Sequence, residues 1–222
     1  GTAGMAEGEL QVLANEMEVA ASLSHKYLIA FRGYFVLRPS TCCLVFEYAP
    51  GGTLGQLVSE AAKAGAPFST AEVTRWLAQL AEALRYMHSR RVVHRDVKAS
   101  NIFVSRERDL KLGDFGIAKV MNTVSAAGST VCGTPGSMCP EMLRGEGCTE
   151  PGDCWALGVV LFELLTLRAP FTLPDGANLV ALMFSIASFD GKLDAAAAAA
   201  IAECGHPPEL CALASGAALL HP

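Results

Sequence analysis

Apolar side chains recur at helical spacing from Glu7 to Leu23, at Leu10, Leu13, Met17, Ala20 and Ala21, with Glu9, Gln11, Glu16 and Glu18 on other faces. That period predicts one amphipathic helix. After Ser24-His25 the pattern changes to β-branched and aromatic runs at Leu28–Arg32, Gly33–Leu37 and Cys42–Tyr48, with Arg38-Pro39-Ser40 as a turn between the last two. These are read as two or so antiparallel strands. Ala49-Pro50-Gly51-Gly52 continues neither element, because proline lacks a donor and paired glycines are conformationally free. A hinge is expected there.

Beyond the hinge the helical period returns, first over Leu54 to Lys63. Ser69-Thr70-Ala71-Glu72 then has the form of a capping box and opens a long helix whose buried stripe is Val73, Trp76, Leu77, Leu80, Leu84 and Met87. Asn101–Ser105 and Asp109–Leu112 read as a hairpin turned by Arg106-Glu107-Arg108. Residues 120 to 138 lack a period and predict a long functional loop. Pro151 to Leu167 is apolar on most faces and predicts a central, buried helix. Weaker helical signals follow at Asn178–Ser188, in the alanine tract Ala195–Ala200 and at Glu209–Leu220, and residues 190 to 206 resemble an insertion.

Composition narrows the classes. The 222 residues are 51% hydrophobic and 18% charged, as a folded globular protein requires. A formal net charge of −5, with no basic cluster longer than Arg90-Arg91, excludes the electrostatics of nucleic-acid binding. No apolar run reaches the roughly 18 residues of a membrane span, so no membrane partner is expected. The eight cysteines show neither a CxxC pair nor a Cys/His metal spacing, and are read as free thiols of an intracellular protein, cytoplasmic by preference. A helical pattern that begins almost at residue 1, and a chain that stops at Pro222, suggest a piece of a longer protein.

The chemistry concentrates between Val92 and Lys119. Asp96, Asn101 and Asp114 lie on two loops flanking a short hairpin, so two loops can bring them to one point. Phosphoryl transfer requires a group to receive the hydroxyl proton, a counter-charge and hard oxygen ligands for magnesium. Asp96 offers the first, Lys98 the second, and Asn101 with Asp114 the third. Gly116 permits the turn that aims Asp114 inward.

His94-Arg95-Asp96-Val97-Lys98-Ala99-Ser100-Asn101, then Asp114-Phe115-Gly116, Gly133-Thr134-Pro135 and Cys139-Pro140-Glu141, come in the order found in eukaryotic protein kinases. The chain resembles that family, and Lys98 is typical of its Ser/Thr-specific branch. Lys111-Leu112-Gly113, Ile117-Ala118-Lys119-Val120, Trp155-Ala156-Leu157-Gly158 and Leu164 to Phe171 are most similar to the NIMA-related (Nek) kinases.

The resemblance implies an α+β, two-lobed kinase-like fold: residues 1–49 as a partial small lobe of helix, strands and hinge, and residues 50–222 as a mostly helical large lobe, incomplete at its end. It implies ATP and Mg2+ as cofactors and a protein Ser/Thr hydroxyl as acceptor. Asp96 is then the base, Lys98 a phosphate contact, and Asn101 and Asp114 the metal ligands. Glu47 and Ala49 would present hinge backbone groups to adenine, Phe103 would line the nucleotide, and Phe46 would be the gatekeeper. Glu16 would pair with a strand lysine lying, with the glycine-rich loop, before Gly1.

Other roles follow from the same resemblance. Asp153 would hold the backbone of the catalytic loop, while Phe115, His94 and Ala20 would stack in a hydrophobic spine. Arg95 would pair with a phosphate on the loop, carried by Thr130 or alternatively Ser129, and Thr134 would belong to the substrate platform. Glu141 would lack its usual arginine partner. A non-catalytic kinase-like scaffold is the alternative reading.

Overall fold

The computed structural model describes residues 17–38, 41–114, 135–147, 149–172 and 178–215. Residues 17–22 are helical, and the remainder of the first expected helix lies outside the described residues. The strands are β1 (Phe31–Arg38), β2 (Thr41–Phe46), β3 (Ile102–Val104) and β4 (Leu110–Leu112). The helices are α1 (Leu54–Ala64), α2 (Thr70–His88), the single turn α3 (Pro140–Leu143), α4 (Glu150–Thr166), α5 (Leu179–Ala187), α6 (Ala195–Glu203) and α7 (Pro208–Ala214).

Two antiparallel strands form in the first part of the chain, as expected. Leu28–Arg32 and Gly33–Leu37 are not two strands: β1 runs through Gly33, which takes φ +143 at a register shift against β2. Leu28 forms only an isolated parallel bridge with Leu112. A β-bulge absorbed what the alternating pattern read as a break. The second hairpin is shorter than expected, because Ala99–Asn101 winds into a 3-10 turn before β3.

Capping chemistry sets both early helices, at Ser69 as the sequence suggested and at Thr53 as a feature that sequence reasoning did not single out. Thr53 exchanges hydrogen bonds with Gln56 at the start of α1, and Ser69 does so with Glu72 at the start of α2. Each such box satisfies two otherwise orphaned backbone donors. α4 is buried on nearly all sides, as an all-apolar helix must be. Trp76, Leu80 and Met87 of α2, Ile102 and Leu112 of the second hairpin, and Leu161, Phe162 and Leu164 of α4 join one core. A separate small cluster gathers Met17, Phe31, Leu44 and Phe46 around Ala20.

The alanine tract is part of that larger core. Asp194 caps α6, and Ala197, Ala200 and Ile201 are buried in contact with the rest of the core. Alanine supplies helix propensity and the small side chain that lets a helix approach closely. The last helix ends at Ala214, with Ser215 as its cap, so the expected run to Leu220 is shorter in the described residues.

The β3–β4 turn is pinned to α2. Gln79 donates to Asp109 Oδ1 at 2.7 Å and accepts from the Leu110 N–H at 2.8 Å. Arg75 reaches Asp109 at 2.6 Å, and the Trp76 indole N–H donates to the Arg108 carbonyl at 2.8 Å. This turn is therefore fixed by the helix that leads into the candidate site.

Candidate active site

The chain leaves α2 at His88 and enters β3 at Ile102, and the segment between is held from below by one carboxylate of α4. Asp153 is 1% exposed. Its Oδ2 accepts from the His94 N–H at 2.8 Å and lies 2.8 Å from His88 Nε2, while Oδ1 accepts from the Arg95 N–H at 2.9 Å. Arg95 sits at φ +68, a left-handed conformation uncommon for a side-chain-bearing residue. The bond from its own amide to Asp153 holds that conformation.

His94 joins the two loops. Its Nδ1 accepts from the Asp96 N–H at 3.3 Å, so the proton resides on Nε2, which donates to the Gly113 carbonyl at 3.0 Å. Burial pushes its pKa down, against opposing contributions from Asp153, the Gly113 carbonyl, Asp96 and Asp114. A neutral imidazole follows, and it serves as a strut.

Asp96 and Asn101 face each other across the loop. Asn101 Nδ2 donates to Asp96 Oδ2 at 2.8 Å and to the Asp96 carbonyl at 3.0 Å. The Lys98 ammonium lies 3.0 Å from the same Oδ2. With Nδ2 committed, the Asn101 side-chain oxygen is the face of the amide left to accept or ligate. The Asn101 carbonyl accepts from the Gly113 N–H at 2.9 Å, bringing the chain to Asp114.

Asp114 is exposed at φ +59. A Cβ on Gly113 would lie 2.9 Å from both Ile29 and Phe103, so this approach requires glycine. One amide oxygen and one exposed carboxylate on adjoining turns are the hard donors that Mg2+ takes, with water completing its shell. The donor set fits the ion.

On the hinge side, Lys111 of β4 pairs with Glu47 at 2.8 Å, and the Glu47 N–H donates to the Ala30 carbonyl at 2.8 Å. Burial works to raise the Glu47 pKa, but Lys111 and the Ala30 N–H outweigh it and the net shift is downward. The Glu47 carbonyl and both backbone groups of Ala49 make no hydrogen bond among the described residues, so they are open to a ligand. Phe103 is half-buried against Gly113, between hinge and site. Phe46 packs edge-on to Phe31 with ring centroids 5.5 Å apart.

Lys98, Ala99 and Ser100 form one wall of a cavity of about 390 Å3, closed by α1, by Gly136 and Ser137, and by α4. Glu163 opens into it. Burial pushes its pKa up to about 7. Glu163 was missed as a site residue, although it is the single charged residue between Asp153 and Arg168, which was the available signal. His88 was likewise missed, since nothing local marks it as the third contact of Asp153.

Of the expected site residues, Arg95, Asp96, Lys98, Asn101, Asp114 and Asp153 come together here. Glu141 lies apart on α3 and forms no ion pair among the described residues. Ala20 sits in the small cluster and His94 in the loop junction, and the stack expected between them runs through Phe115, which lies outside the described residues. Glu16, Phe115, Thr130 and Thr134, and nearly all of the expected loop, lie outside the described residues.

The protein kinase domain model matches residues 3–201. Serine/threonine-protein kinase Nek6 of Oryza sativa subsp. japonica is 38% identical over 165 residues, covering 74% of this chain and 30% of that protein. Serine/threonine-protein kinase Nek1 of Mus musculus is 34% identical over 181 residues, 82% of this chain and 15% of that protein. Serine/threonine-protein kinase nekl-2 of Caenorhabditis elegans is 36% identical over 191 residues, 83% of this chain and 52% of that protein. The chain thus spans about half or less of the length of these relatives. With the family model matching most of the chain, the chain belongs to the protein kinase domain family, and its relatives include Nek-type Ser/Thr kinases.

Proposed function

We propose that the protein transfers the γ-phosphoryl group of ATP to a serine or threonine hydroxyl of a protein substrate. The observation that carries this reading is the buried Asp96 carboxylate, held between the Lys98 ammonium and the Asn101 amide on a loop clamped by Asp153. In the reaction the acceptor oxygen forms a bond to phosphorus as the bond to the ADP oxygen breaks. Asp96 orients the hydroxyl and receives its proton late, a contribution of about 10²–10⁴ in rate. Lys98 steadies the charge on the transferring group as a point cation. Asn101 and Asp114 would hold Mg2+, which when bound offsets phosphate charge. The open backbone groups of Glu47 and Ala49 would receive the adenine edge.

The cavity beside Lys98 supports a protein acceptor over a small one. It continues from the catalytic loop to Gly136 and Ser137, and its acid, Glu163, is suited to the cationic side chain of a substrate residue near the acceptor. Lys98 and Arg168 also line it and oppose a cationic peptide, so the preference rests on Glu163, which is ionised above about pH 7.

The alternative, a non-catalytic scaffold, is disfavoured by the presence of base, phosphate lysine and both metal-ligand positions. The test is incubation of the protein that carries this chain with γ-labelled ATP, Mg2+ and serine peptides with and without a nearby arginine. Label is expected on serine, with the arginine peptide favoured about tenfold and Glu163→Gln removing that preference. No labelled product from any peptide or protein acceptor would point to the scaffold.

A further inference from the structure

The α6–α7 corner brings two sulfur atoms together far from the phosphoryl-transfer site. Cys204 caps the end of α6, the chain turns through Gly205 at φ +73, His206 and Pro207, and Cys211 lies one turn into α7. The two Sγ atoms are 3.6 Å apart, which is van der Waals contact. Both residues are half-buried, so a small reagent can reach them. The turn between them is anchored on α2, where His206 Nδ1 meets Thr70 Oγ1 at 3.1 Å.

We infer that Cys204 and Cys211 are a modification site: a dithiol that closes to an intramolecular disulfide on meeting a small-molecule disulfide such as oxidised glutathione. A disulfide has its sulfurs about 2.05 Å apart, so closure requires side-chain rotation and a small movement of the corner. The second step gains from proximity, because the resolving sulfur is already in contact.

The exchange balances without another reagent. One cysteine, as thiolate, attacks a glutathione sulfur; the glutathione S–S bond breaks, a mixed disulfide forms and one glutathione thiolate leaves, taking up a proton. The second cysteine attacks the protein sulfur of that mixed disulfide, expels the second glutathione and completes the S–S bond. Two protein thiols are oxidised and one glutathione disulfide is reduced to two thiols.

Burial and the neighbouring Cys204 thiol both raise the Cys211 pKa, and its sulfur faces the His206 carbonyl at 3.5 Å. The Cys211 S–H donates toward the His206 carbonyl and, at 3.9 Å, the Ile201 carbonyl, and this geometry assigns first attack to Cys204 and resolution to Cys211. α6 and α7 both pack on α4, the helix that carries Asp153. The oxidised corner is therefore a staple placed against the support of the catalytic loop.

The experiment is native incubation of the protein with oxidised glutathione at pH 8, acid quenching and peptide mapping by mass spectrometry. Wild-type protein is expected to yield a cross-linked Cys204–Cys211 peptide that has lost two hydrogens. Cys211→Ser should accumulate at least tenfold more glutathione adduct on Cys204 than wild type, with no cross-link. Cys204→Ser should show little adduct on Cys211. Wild-type protein carrying stable glutathione on both residues, or unmodified at both while its other cysteines react, would overturn the proposal.

Discussion

The two β-hairpins of this chain differ in a way that strand length does not anticipate. β1 and β2 run for eight and six residues, yet Tyr34, Phe35, Val36 and Leu37 are each more than half exposed. β3 and β4 have three residues each, and Ile102, Val104, Leu110 and Leu112 are buried. The short hairpin is fixed by α2 at its turn and by the Asn101–Gly113 bond at its open end. A two-stranded hairpin is marginal by itself, so local order here comes from what surrounds the strands. The hairpin beside the candidate site is the supported one.

This contrast should be broken most severely at Asp153. Asp153→Ala leaves the buried His94 amide, the part-buried Arg95 amide and His88 without their acceptor. A loss of about 3 kcal/mol or more is expected from the midpoint of urea unfolding. A change at the pair joining the two hairpins should have a smaller effect. Lys111→Met removes the cation that holds the Glu47 carboxyl below its ordinary pKa, and should cost about 1 kcal/mol at neutral pH.

The sign of the pH effect is set by that depression. Stability from Glu47 is present above its unfolded value near 4.5 and is lost as pH falls through the lower folded value. Thermal melts from pH 7 to pH 3 should therefore show a shallower acid decline in Lys111→Met than in wild type. Phe35→Ser, on the open face of β1, should change stability by less than about 0.5 kcal/mol in the same melts. A large effect there would mean that the first hairpin is covered in solution and that the contrast is false.

The sequence was most legible where one residue type has one physical use. Ser69 and Glu72 marked the start of α2, the unbroken apolar run marked α4, and the spacing of Asp96, Asn101 and Asp114 marked the site. Legibility failed where a residue acts through a distant partner. His88, at the end of a helix, meets Asp153 sixty-five positions later, and Glu163 became chemically unusual only through the apolar walls around it. The bulge at Gly33 was misread because a register shift and a strand boundary interrupt alternation in the same way. The core role of the alanine tract was not legible because alanine carries no sign of what it packs against.

The central claim is that Asp96 serves the phosphoryl-transfer step, while the hinge side of the molecule binds nucleotide. Single-turnover transfer by the protein carrying this chain, at saturating ATP and Mg2+, compares wild type with Asp96→Asn most directly. A fall in rate of at least about 100-fold, with ATP affinity kept within a few-fold, is the expected result. Equal rates in the two proteins would contradict the account.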